Sequence, residues 1–120
     1  MSRDFRKLHV FQLADELLMR VYQAASTFPA AERYTLQAQL RRAALSASTN
    51  IVEGSARRTT REYLNFINIA AGSATEARYL VDVSHRLGYL PDKDATELVT
   101  RYTELSAKLQ ALLASLASEP

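Results

Sequence analysis

Between Leu98 and Leu116 the apolar residues Leu98, Tyr102, Leu105, Leu109, Leu112 and Leu116 alternate at intervals of four and three without a break. That spacing puts all of them on one stripe of an α-helix, and so narrow and long a stripe demands partner helices. A half-buried strand would need alternation at every second residue. The helix starts after Pro91, with Asp92 or Asp94 as its N-cap and with Asp94 and Glu97 favouring the positive end of its dipole.

Three more segments carry helical periodicity. The first is predicted from about Leu8 to Thr27, with Phe11, Ala14, Leu18, Val21, Ala25 and Phe28 on its apolar stripe and Pro29 ending it. The second runs from about Thr35 to Glu53, with Leu36, Leu40, Ala43, Ala44, Ala47 and Ile51 inward, and Gly54 reads as a left-handed C-cap. The third opens on the capping box Thr59-x-x-Glu62 and reaches about Leu87, where Gly88 stops it. Two overlapping apolar stripes lie on it, one with Tyr63, Phe66, Ala70, Ala77, Leu80 and Leu87, the other with Leu64, Ile67, Ala71, Ala74 and Val81. An arc that wide must be covered on more than one side, which reads as a subunit interface. Gly72, in mid-helix, reads as a device for close approach to Ala43, Ala44 and Ala47. Short connections make neighbouring helices antiparallel. The expectation is one all-α domain over residues 1–120, an antiparallel up-down-up-down four-helix bundle.

Composition agrees and removes several alternatives. The chain is 48% hydrophobic and 23% charged, with only three Gly and three Pro, which is globular and helix-forming. It has no cysteine, hence no disulfide, thiolate metal site or cysteine nucleophile. The start, Met1 to His9, is polar, and no apolar run nears the roughly 18 residues that span a bilayer. No membrane partner and a cytoplasmic location are expected. The net charge is +2, yet Arg33, Arg41, Arg42, Arg57, Arg58 and Arg61 face only Glu53 over residues 33–61, a local net of +5. Such a patch attracts phosphates or is simply solvated.

Several pieces in order then stand out: Gln39-Leu40-Arg41-Arg42-Ala43-Ala44 with Ser46, Asn50-Ile51-Val52-Glu53-Gly54, Arg57-Arg58, Glu62-Tyr63, Ala71-Gly72-Ser73, and Arg86-Leu87-Gly88-Tyr89-Leu90. Over about residues 5–90 the chain resembles the four-helix-bundle proteins encoded in intervening sequences of bacterial 23S ribosomal RNA genes. The resemblance implies a stand-alone bundle, a homopentamer, of unestablished biochemical role. More distantly the chain is similar to the accessory proteins of diversity-generating retroelements, pentameric bundles that partner a reverse transcriptase and nucleic acid, RNA or DNA. Those relatives are strongly basic, and this chain at +2 departs from them.

Two constellations are candidates for function. Gln39, Arg42, Ser46, Asn50 and Glu53 form one polar stripe on the second helix, which Asn65, Asn68 and Glu76 on the third can answer. Arg42 and Glu53 are about 16 Å apart along the axis at 1.5 Å per residue, so their charge partners must come from another helix or subunit. The stripe reads as a hydrogen-bond network fixing helix register, with a ligand or nucleic-acid site as the other reading. Arg57, Arg58 and Arg61 form the second constellation, a candidate phosphate or nucleic-acid contact at a loop and helix start. Tyr34, Tyr63 and Phe66 flank it, but Tyr63 and Phe66 fall on the core stripe. Catalytic patterns are thin. A di-iron bundle site needs paired Glu-x-x-His motifs, and the sequence offers only Asp82-x-x-His85 and a lone His9. No nucleophile elbow is present. The reading is therefore a non-enzymatic homo-oligomeric binding or scaffold module without a cofactor, its basic middle contacting nucleic acid or a nucleic-acid enzyme. A purely structural oligomer with no ligand is the alternative.

Overall fold

The structure, a computed structural model, describes residues 4–117. Four helices carry the chain: α1 His9–Ala25, α2 Leu36–Ser55, α3 Thr60–Arg86 and α4 Asp92–Ala117. Short 3-10 turns at Phe5–Lys7 and Ala30–Glu32 precede α1 and α2, and no strand occurs among the described residues. Each helix packs on its sequence neighbour and α4 closes back on α1, while the diagonal pairs stay apart. The result is an up-down-up-down bundle of 49 × 22 × 20 Å.

The heptad of α4 does what its spacing requires. Leu98, Tyr102, Leu105, Leu109 and Leu116 are buried, and Leu112 packs half-buried against the same core. Facing them are Leu13, Leu17 and Val21 of α1, Leu40 and Ile51 of α2, and Ile67 and Val81 of α3. The Tyr102 hydroxyl is enclosed without a hydrogen-bond partner among the described residues, and burial pushes its pKa up.

Helix ends follow local chemistry, with three departures from expectation. At α3 the Thr59 hydroxyl accepts from the Glu62 amide at 3.1 Å, and donates to the Glu62 carboxylate at 3.0 Å. The Glu62 carboxylate therefore meets the Thr59 hydroxyl where the capping box would offer the Thr59 amide. At the other end Gly88, at φ 82°, closes a Schellman turn: its amide reaches the His85 carbonyl and the Tyr89 amide reaches that of Ser84, both at 2.9 Å. Gly54 is not a left-handed cap, since α2 continues through it to Ser55. A Cβ on Gly54 would stand 2.8 Å from the Phe66 Cβ, so the missing side chain lets α2 and α3 touch. Gly72, by contrast, looks onto open space and packs against nothing in its own chain. Asp92 is the first residue of α4 and not its cap.

One end of the bundle is clasped. The Tyr89 hydroxyl donates to Glu32 Oε2 at 2.9 Å, the Thr35 hydroxyl donates to Glu32 Oε1, and the Phe28 and Tyr89 rings pack tilted with their centres 5.6 Å apart. The hydroxyls of Thr35 and Tyr89 hold the Glu32 carboxyl below the usual glutamate range. Along α1 and α4, Arg20 pairs with Glu97 at 2.8 Å and Arg101 with Glu16 at 2.9 Å. The Arg20 guanidinium lowers the Glu97 pKa in the same way.

The wide apolar arc of α3 is covered from both sides within one chain, by α2 and α4, so its width alone does not demand a second subunit. What stays uncovered is different: Ile69 is 51% and Tyr79 60% exposed, and Leu87, expected on the stripe, is exposed too.

Candidate interaction face

The polar stripe of α2 lies along its seam with α3. Arg42 Nη1 donates to Gln39 Oε1 and Gln39 Nε2 donates to Glu76 Oε2, each at 2.7 Å. The Gln39 amide thus links a cation and an anion that do not touch. One turn on, the Ser46 and Ser73 hydroxyls are 2.8 Å apart. Asn50 donates to the Ser46 carbonyl at 2.8 Å and to its hydroxyl at 3.1 Å. The structure therefore brings Gln39, Arg42, Ser46, Asn50 and Glu76 into one set of contacts and adds Ser73, which periodicity gave no reason to choose. Asn65 and Asn68 point to solvent. Glu53 stands apart: among the described residues only its backbone carbonyl is used, accepting from Arg57 Nε at 3.2 Å.

These groups are exposed or half-buried and not sealed in a core. Exposed pairs of this kind contribute little stability each, so their value here is register between α2 and α3. Between Arg42 and Glu53 the outward ridge of α2 also carries Leu45, 46% exposed, and Thr49. Across the seam the exposed Ile69 lies one turn before Ser73 on α3, with Gly72 next to Ser73. This mixture of apolar, small and charged groups is what an interaction face carries.

The three arginines at the opposite end from the clasp are not equivalent. Arg57 is committed twice, to the Glu53 carbonyl at the end of α2 and, 5.2 Å from the ring centre, to the face of Phe66. Arg58 is exposed. Arg61 is exposed on the first turn of α3 with no ion-pair partner among the described residues. Tyr63 is buried and Phe66 half-buried under Arg57, so neither offers a stacking surface; Tyr34 is exposed.

The histidine motif resolves into two separate polar contacts. His85 Nε2 is 2.6 Å from Asp92 Oδ1 on α4, and Asp82 pairs with Arg86 at 3.0 Å. Among the described residues no three His, Cys, Asp or Glu side chains gather closely enough to hold a metal ion. No helix among them is long and apolar enough to cross a membrane.

A closed four-helix bundle with this seam is a fold shared by a defined class, and sequence places the chain within it. It belongs to the 23S rRNA-intervening sequence protein family, whose model matches residues 6–111. Among solved structures it is similar to a protein of unknown function from the S23 ribosomal protein family of Bacteroides thetaiotaomicron VPI-5482. The two share 20% identity with a TM-score of 0.78, over 87% of this chain and 97% of that one. At that identity the likeness speaks for the fold. No curated protein matches the chain.

Proposed function

We propose that this chain is a non-catalytic helical scaffold that works as a homo-oligomer, the pentamer implied by the resemblance, in the cytoplasm. The observation that carries the reading is the apolar surface a finished bundle leaves uncovered. Met19, Tyr22, Leu45, Ile69 and Tyr79 all lie 40% or more exposed although the core is complete. Exposed apolar side chains that lie together, as Met19 and Tyr22 do one turn apart on α1, mark interaction surfaces. Size-exclusion chromatography with light scattering tests it at micromolar concentration. A mass of five times 13.4 kDa is expected, and a clean 13.4 kDa species refutes self-association.

A second reading, contact with RNA, DNA or a nucleic-acid enzyme such as a reverse transcriptase, rests on Arg61, exposed and in no ion pair among the described residues. A ring would repeat it once per subunit and convert a weak contact into a multivalent one. Fluorescence anisotropy with a labelled single strand and a duplex, from about 50 to 200 mM salt, tests it, because counterion release makes such binding steeply salt-dependent. Absence of binding at the low-salt end refutes it.

A further inference from the structure

At the end of the bundle opposite the clasp, the fold gathers cations from three separate stretches of the sequence. The ion pairs Arg20–Glu97 and Arg101–Glu16 set α4 against α1 so that Lys108 stands level with His9, and those two residues line one shallow hollow. The contact of Arg41 with the Tyr22 ring sets α2 against α1 in the same way and brings Gly54 to that level. From there outward, among the described residues, stand the cations Lys7, Arg57, Arg58, Arg61 and Lys108 against Glu53 and Glu62, a net of +3. Asp4 and Arg6 are there too, but they pair with each other at 3.1 Å and cancel. The whole chain carries +2, and Arg3 and Glu119, outside the described residues, offset each other, so the rest of the described residues carry −1. The clasp end is balanced, with Arg33, Arg86 and Lys93 against Glu32, Asp82 and Asp92.

Among the described residues, no large apolar side chain is exposed at this basic end. Met19, Tyr22, Leu45, Ile69 and Tyr79 lie along the sides of the bundle, and Tyr34 and Leu87 lie at the clasp. The nearby aromatic rings are engaged: Phe5 packs edge-on to Phe11 with centres 4.9 Å apart, Tyr63 is buried, and Phe66 lies beneath Arg57. Protein interfaces and membrane contacts need apolar anchors. Single strands are held by bases stacked on exposed rings. This end offers neither, only charge. That charge is held in place without being cancelled, because the two partners of Arg57, a carbonyl and a ring face, bear no negative charge. Two helices start here and two end here, so their dipoles oppose and the side chains decide the field.

We infer that this end of the bundle binds the phosphate backbone of a nucleic-acid duplex, with Lys7 and Lys108 completing the arginine cluster of the α2–α3 turn. A duplex turns its phosphates outward and keeps its bases inside, which suits a surface with positive charge and nothing to stack or bury. At about 3.4 Å of axis per phosphate on each strand, the 20 Å width of the bundle spans about six phosphates, enough for all the cations named. Contacts to phosphate position a protein without reading bases, so binding is indifferent to sequence. This inference rests on the nucleic-acid reading above and adds the residues and the form of nucleic acid they take.

Fluorescence anisotropy of the full chain with a labelled DNA duplex and a single strand of equal length, across the salt series, tests it. The wild type should bind the duplex more tightly than the single strand, whatever the base sequence. Lys7→Gln with Lys108→Gln should weaken duplex binding at least about tenfold at low salt. It should also lower the slope of log affinity against log salt by about 1–2 units, since each phosphate contact contributes close to one. Arg33→Gln with Lys93→Gln removes the same charge from the clasp end and should leave affinity and slope as in the wild type. Circular dichroism checks that both variants keep the helicity of the parent, and Lys7→Gln alone, at an exposed turn, should lower the slope by about one unit. A wild type that binds no nucleic acid at low salt overturns the nucleic-acid reading and this site with it. Where the wild type does bind, three results overturn this site while that reading stands: equal weakening by the clasp-end pair, tighter binding to the single strand, or equal affinity for phosphatidylserine vesicles in a flotation assay.

Discussion

Gly54→Ala separates two opposing contributions whose sizes the structure supplies. Gly54 lies inside α2 with an ordinary helical backbone, so alanine there gains about 0.8–1 kcal/mol of intrinsic helix preference. The new methyl, however, would stand 2.8 Å from the Phe66 Cβ and 3.2 Å from Tyr63 Cδ1. A Cβ is fixed to the backbone and cannot rotate aside, so α2 and α3 must part by several tenths of an ångström along a seam that holds much of the core. Overpacking of this kind costs about 1–3 kcal/mol, and forced helix separation belongs at the upper end. The net effect is a loss of about 1–2 kcal/mol, a fall in Tm of roughly 5 °C for a domain of this size. Thermal and urea melts followed at 222 nm measure it, at matched protein concentration because association shifts apparent stability. Phe66→Ala in the same background should not rescue the variant, since alanine retains the offending Cβ. A Gly54→Ala protein as stable as the parent, or more so, would refute the argument that this glycine exists for contact and not for helix termination.

The remaining expectations are smaller and separate. Tyr102→Phe removes an enclosed hydroxyl with no partner, so it should be neutral or raise stability by up to about 1 kcal/mol; a clear loss in a urea melt would mean the hydroxyl is bonded. Glu32 and Glu97 have folded pKa values below their ordinary value, 4.5, so the stability each contributes is complete above that pH and is lost as pH falls through the lowered value. Tm should therefore hold level from pH 8 to 6 and decline below about 4.5, less steeply in a Glu32→Gln, Glu97→Gln double variant; a parallel decline would refute the assignment.

How much of this was visible beforehand divides along a physical line. Helix identity and the inward stripes were legible, because burial imposes a period on the chain and Leu98 to Leu116 keep it. So was the alignment of Gln39, Arg42, Ser46 and Asn50, since one helix fixes their mutual spacing. What the sequence concealed depends on the stagger between helices. Ser73 and Ile69 could not be matched to α2, nor Arg20 to Glu97, without knowing how far one helix slides past the next. The two glycines show the same limit most sharply. Gly54 was read as a terminus and Gly72 as a packing device, and the structure exchanges those expectations: contact falls at Gly54, and Gly72 is open. The sequence neighbours of neither glycine reveal this, and only the register decides which of them abuts another backbone.

The clasp through Glu32 gives the bundle a direction in time as well as in space. It joins the α1–α2 and α3–α4 connections, so all four helices are bound together at that end by Tyr89, Thr35 and Phe28. At the far end, the cap of α3 and the Arg57 contacts fasten the α2–α3 turn to its own two helices. Local opening follows the weaker fastening, so amide exchange should proceed fastest from the arginine end and slowest beneath the clasp. Whatever settles on Arg61 would meet the part of the molecule that breathes, and occupancy there would be registered as slowed exchange running up α2 and α3 toward the clasp.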